Sequence, residues 1–133
     1  PLLEYFTYEG HKQQIVGQAE LLPCILARHV WQSRMTQRPI ILLVDNEAAK
    51  FGLIRGNSPS QHSCLLTQKF LEMEKEDRSL TWYERVPSVA NCSDGPSRGM
   101  REVLKSLPTP PVKRKVSRHW ESSLLIALRA SES

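Results

Sequence analysis

Three carboxylates stand where the local sequence could turn them to chemistry. Glu20 lies in the segment Gln18-Ala19-Glu20-Leu21-Leu22-Pro23. Asp45 directly follows the apolar run Ile40 to Val44, and Asp94 sits in a stretch rich in Ser, Asn, Gly and Pro, just before Gly95-Pro96. Read as a helix, a strand end and a distal loop, these three places are able to converge on one edge of a sheet. Convergence would concentrate acceptor oxygens and negative charge at one spot. Each residue also has an ordinary structural reading. Asp45 follows a strand and precedes a helix, where an Asp caps free backbone N–H groups, a task Asn46 can also perform. Glu20 reads equally as a solvated residue on a helix face. Asp94 with Gly95 and Pro96 makes a turn by itself.

The elements that would position these groups follow from periodicity and punctuation. Leu2 to Tyr8 is rich in aromatics, ends at Gly10 and reads as a short strand. Between Ile15 and Arg34, the residues Ile15, Ala19, Leu22, Leu26 and Val30 recur every three or four positions, which predicts a helix with that face inward. Pro23 means that this helix either begins near Gln18 or bends. Ile40 to Val44 is apolar throughout and predicts a central strand covered on both faces. A helix from Asn46 to Ile54 closes at Gly56. A second begins at Ser58-Pro59, as cap and first residue, and runs to about Lys75 with Leu65, Leu66, Phe70 and Met73 inward. The charged cluster Glu74 to Arg78 reads as its end and a turn.

Leu80 to Val86 is a further strand with Trp82 and Tyr83, one of which must face inward by alternation. Pro87 to Gly99 reads as a loop, and Met100 to Leu107 as a short helix that Pro108 to Pro111 breaks. Trp120 to Ala130 predicts one amphipathic helix, for which the sequence offers no role. Alternation of strand and helix favours an α/β layer fold with parallel strands, whose sites lie at the carboxyl ends of the strands. The division expected is a partial domain over residues 1–107 and a basic tail with a short helix over 108–133.

Composition bounds the rest. A chain of 133 residues with 40% hydrophobic and 24% charged residues suits one globular core. No apolar run approaches the roughly 18 residues a membrane span needs, and no secretory leader is visible. Cys24, Cys64 and Cys92 are odd in number and form no zinc-like spacing, so reduced thiols in an intracellular protein, cytoplasmic or nuclear, are expected. The net charge of +4 is uneven: Lys113, Arg114, Lys115, Arg118 and Arg129 against Glu121 and Glu132 place +3 of it after Leu107.

The strings IVGQAELLP, ILLVDNEAAKFGLIRGNSP and WYERVPSVANCSDGPSRG, in this order and on these elements, resemble the ribonuclease H domain of retrotransposon reverse transcriptases. The third is the sharpest, with its aromatic, Arg-Val-Pro-Ser, Asn and Asp-Gly-Pro-Ser-Arg. The resemblance spans roughly residues 2–107. It implies a ribonuclease H-like mixed sheet with flanking helices, and a polymerase domain upstream in a parent polyprotein. It also implies two-metal cleavage of the RNA strand of an RNA–DNA hybrid. Glu20, Asp45 and Asp94 would be catalytic residues and ligands of Mg²⁺ or Mn²⁺. The family's fourth carboxylate, an Asp on its first strand, would precede Pro1, so the expectation is a domain whose first strands are missing. Glu4 and Glu9 do not replace it. A His that many members carry before the last Asp is absent between Leu80 and Asp94, and His62 lies on the wrong element.

Asn46, Arg98 and the cluster Lys113-Arg114-Lys115 are the candidate nucleic-acid contacts. The cluster reads equally as a solvated linker, or as a nuclear address, and Arg98 as an exposed loop residue. Trp82 and Tyr83 are able to stack on bases, although structural roles for both come first. Two rivals to an active enzyme are a catalytically dead nucleic-acid-binding or tethering module of the same fold and a non-functional gene fragment.

Overall fold

The computed structural model describes residues 15–130 except 59, 101, 106, 107 and 110–114. The expected strand Leu2 to Tyr8 lies outside the described residues, as do Lys113 and Arg114. The chain is mixed α/β. In order come α1 (Ile15–Val30), α2 (Gln32–Met35), β1 (Pro39–Val44), α3 (Glu47–Arg55), α4 (Gln61–Asp77) and β2 (Leu80–Arg85). A 3₁₀ turn (Ser88–Ala90) and three more helices follow: α5 (Asp94–Ser97), α6 (Glu102–Lys105) and α7 (Arg118–Ala130).

α1 begins at Ile15 and continues through Pro23, whose side chain is exposed. Its most buried face is Gln18, Leu21, Ile25 and Arg28; of the expected face, Leu22 is half-buried against the core, Leu26 is half-buried and Ala19 is exposed. The two stripes are offset by about one residue, or roughly 100° around the helix. The inward one includes Gln18 and Arg28, whose Nε2 and Nη atoms find partners inside, so hydrophobicity alone does not find its centre. Leu21 and Ile25 meet Val44, Ala49, Leu53, Leu66, Phe70 and Met73 in one core cluster, which Leu124 of α7 also joins. The ring of Trp120 stacks on His29 at 4.5 Å, tying α7 to α1.

Local chemistry sets the helix ends. Asn46 caps α3 by accepting from Ala49 N at 2.9 Å, and Gly56 closes it at φ 66°, a conformation that costs glycine little. Ser60, rather than Ser58, caps α4, its hydroxyl accepting from Ser63 N. α4 ends at Asp77, and Arg78 turns the chain into β2 in the left-handed region at φ 51°. Leu66, Phe70 and Met73 are buried and Leu65 half-buried, as their spacing predicts.

β1 and β2 are parallel, with Ile41 opposite Trp82 and Val44 opposite Arg85. This pair is the sheet formed by the described residues. The expectation of a strand covered on both faces fails here. Ile40, Leu42 and Val44 turn toward the core, whereas Ile41 is 73% exposed and Leu43 58%. On β2, Tyr83 faces the core and Trp82 is 69% exposed. An open, apolar sheet face therefore runs over Pro39, Leu80, Ile41, Trp82 and Leu43. A charge should be tolerated on it. Leu43→Lys places a cation opposite Glu84, a cross-strand pair contributing on the order of 0.2–1 kcal/mol. Thermal melting should leave Leu43→Lys at or slightly above the parent. Leu53→Lys, at a buried position, should not fold.

No described helix is long and apolar enough to cross a membrane.

Candidate active site

Parallel pairing brings the carboxyl ends of β1 and β2 to the same edge, and Val86 N donates to Val44 O at 3.1 Å just past them. Asp45 follows β1 directly. From β2 the chain passes through the 3₁₀ turn to Asn91, whose Nδ2 donates to Asp45 Oδ2 at 3.1 Å. Asn91 Oδ1 accepts from both the backbone N (3.1 Å) and the hydroxyl (2.7 Å) of Ser93. One asparagine thus pins the loop to the strand end and sets the start of α5, whose first residue is Asp94. Pro87 to Gly99 is therefore more ordered than a plain loop: it holds the 3₁₀ turn and α5. Of the helix expected over Met100 to Leu107, the described part is Glu102–Lys105.

Glu20 comes from the first half of α1 and meets Asp45 side chain to side chain. Its carboxyl is pushed above the ordinary carboxylate range, first by partial burial, then by its hydrogen bond to Asp45 and that residue's charge, and last by the charge of Asp94. The contact therefore gathers negative charge that a proton or a cation must offset. Asp94 is one-third exposed and held to its own helix, Arg98 Nε donating to Asp94 Oδ1 at 3.0 Å. Among the described residues, no three His, Cys, Asp or Glu side chains stand ready to hold a metal ion. The donor chemistry suits a hard cation, but a third ligand has to be drawn in, and Asp94 must first leave Arg98.

The other expected residues are accounted for separately. Asn46 uses its Oδ1 to cap α3, which leaves its amide N–H groups to other partners. Arg98 is exposed beside Asp94, and Lys115 is exposed further along. His62 is buried in the first turn of α4.

Two neighbours were not singled out in the sequence. Asn91 was visible only as one letter of the third string. Cys24 lies one helical turn after Glu20 and donates to Glu20 O at 3.4 Å. Burial, then the charge of Glu20, pushes its thiol up to about 11, so it stays protonated at neutral pH. The spacing from 20 to 24 on one helix was the available signal. All three cysteines are free.

The raised carboxyl gives a signed pH dependence. Protonated Glu20 is favoured in the folded chain, so its contribution is full below its unfolded value near 4.3 and is lost as pH rises through the raised folded value. Glu20→Gln should melt level with the parent at pH 4. In chelator at pH 7 it should melt higher, by about 1–3 °C, since the group is partly solvated. A variant that melts lower at pH 7 than at pH 4, relative to the parent, contradicts the crowding of Glu20 and Asp45.

No family model, curated protein or solved structure matches the chain.

Proposed function

We propose that this chain is part of a ribonuclease H-like domain of a retroelement polyprotein, acting on RNA–DNA hybrids next to a polymerase domain. The observation that carries the reading is the side-chain contact of Glu20 with Asp45 at the carboxyl end of parallel strands, with the charge of Asp94 in reach. In this reading Glu20, Asp45 and Asp94 hold Mg²⁺ or Mn²⁺, and Asn91 keeps Asp45 oriented. Bound divalent ions supply an activated water and charge stabilisation for phosphodiester hydrolysis. Arg98, once released from Asp94, is placed to meet a phosphate, and Asn46 to donate to the strand.

Three carboxylates offset three of the four charges that two divalent ions bring. With that charge incompletely offset, cleavage should be slow, well below about 1 s⁻¹. A binding module of the same fold is the second reading, favoured by the Arg98–Asp94 pair that keeps one carboxylate engaged.

The test is a labelled RNA–DNA hybrid incubated in Mg²⁺ and in Mn²⁺. The first reading expects slow nicking of the RNA strand alone, reduced about 100-fold in Asp45→Asn. Hybrid binding without nicking supports the second. Nicking that Asp45→Asn retains, or no binding at all, contradicts the proposal.

A further inference from the structure

We propose that the outer face of α3 is a contact surface for a nucleic-acid strand, with Phe51 as its platform and Lys50 and Arg55 as its phosphate partners. The proposal rests on the reading above for the kind of partner, and extends it to residues outside the carboxylate site. α3 buries Ala49, Gly52 and Leu53. On its opposite side Phe51 is 44% exposed and Ile54 51%, a pair of large apolar side chains turned to water in a nine-residue helix. Such a pair has no role in the core and leaves a small apolar patch that a partner is able to cover.

The cations around the ring decide what kind of contact. Lys50 Nζ lies 5.9 Å and Arg55 Cζ 5.5 Å from the Phe51 centroid. An apolar protein groove closing on Phe51 would strip water from both cations and offer nothing in return. A phosphodiester strand pairs with the cations while the ring and Ile54 take a base or sugar, the combination used by single-strand binding surfaces. Lys50 also pairs with Glu84 at 3.2 Å; Lys50 is half-buried and Glu84 exposed, so a phosphate reaches this cation by displacing Glu84.

Position points the same way. α3 starts at the cap Asn46, immediately after Asp45, and helical rise puts Phe51 about 8 Å along the axis from that cap. That is two to three steps of 3.4 Å along a strand. A strand whose phosphate reaches the carboxylates therefore passes over this face with its next nucleotides.

The experiment is binding of a fluorescent 16-nucleotide RNA–DNA hybrid and of the matching single strands to the whole chain. It is run in chelator, so that the result does not depend on metal. Phe51→Ala should weaken binding about tenfold while melting like the parent, because the ring is not in the core. Lys50→Gln and Arg55→Gln should each lower the slope of log affinity against log salt by about 1. Lys69→Gln, an exposed cation on α4, should leave that slope unchanged. Parent-like affinity in Phe51→Ala overturns the proposal. So does an equal loss of slope in Lys69→Gln, or a Phe51→Ala effect confined to self-association measured by sedimentation. A chain that binds Mn²⁺ but shows no α3 effect loses this inference alone. Loss of Mn²⁺ binding with the α3 effect intact removes the catalytic reading and leaves the surface.

Discussion

Asp77→Ala should cost about 3–5 kcal/mol, the penalty for leaving a buried charge without its partner. Asp77 and Arg28 are both buried, and Arg28 Nη1 donates to Asp77 Oδ2 at 3.2 Å. The same guanidinium reaches Ser79 Oγ at 2.7 Å and Thr81 Oγ1 at 2.9 Å, and lies 4.6 Å from the centroid of Phe70. Gln32 Nε2 donates to the other oxygen of Asp77 at 2.8 Å. These bonds join α1, α2, the end of α4 and the start of β2. Without Asp77, Arg28 keeps its charge in a dry interior, where Glu74 Oε1 at 4.0 Å is the carboxylate left beside it. The loss is a fifth or more of the roughly 5–15 kcal/mol that holds a small domain. Urea denaturation should show the midpoint collapsing in Asp77→Ala and in Arg28→Ala. The joint change Arg28→Met with Asp77→Leu should recover most of the loss, because apolar replacement of a buried pair is often neutral. An Asp77→Ala midpoint within about 1 kcal/mol of the parent would show that water reaches the pair.

That network also explains why part of the fold was hidden in the sequence. Helix ends were legible where a single residue dictates the backbone: Asn46 and Gly56 bracket α3 as their types demand. The apolar face of α4 was legible because Leu66, Phe70 and Met73 repeat at helical spacing. The inward face of α1 was not, since Arg28 and Gln18 are polar by type and are buried beside partners distant in sequence, which take up Gln18 Nε2 and the Arg28 Nη atoms but leave Gln18 Oε1 and Arg28 Nε without a hydrogen bond among the described residues. For β1, Ile40 to Val44 carries no alternation, so its residues could not say which face would be open. Trp82 and Tyr83 posed the same question, and the hydrogen bond from the Tyr83 hydroxyl to Glu74 Oε2, at 3.4 Å, accompanies Tyr83 on the inner face. At the site, the approach of Glu20 to Asp45 was readable from element order. The hold of Arg98 on Asp94 and of Asn91 on Asp45 was not, because both depend on loop geometry.

Asp45→Asn should lower divalent-metal affinity more than any other single change at the site. Asp45 touches Glu20 on one side and Asn91 on the other, so its charge lies at the middle of the group. Removing it takes away a hard ligand and also relieves the crowding that makes Glu20 ready to exchange a proton for a cation. The backbone and its hydrogen bond to Asn91 have an amide equivalent in Asn, so folding should be kept. Altering residues that merely orient metal ligands costs about 10–100-fold in affinity, and loss of a ligand itself should reach the upper end. Arg98→Gln should act in the opposite sense, since it frees Asp94.

The most direct measurement is a Mn²⁺ titration of the purified chain followed by electron paramagnetic resonance, with Asp45→Asn and Arg98→Gln beside it. The account predicts saturable binding by the parent, tighter binding by Arg98→Gln, and about 100-fold weaker binding by a folded Asp45→Asn. Equal affinity in the parent and in Asp45→Asn, or no saturable binding by a folded parent, would contradict it.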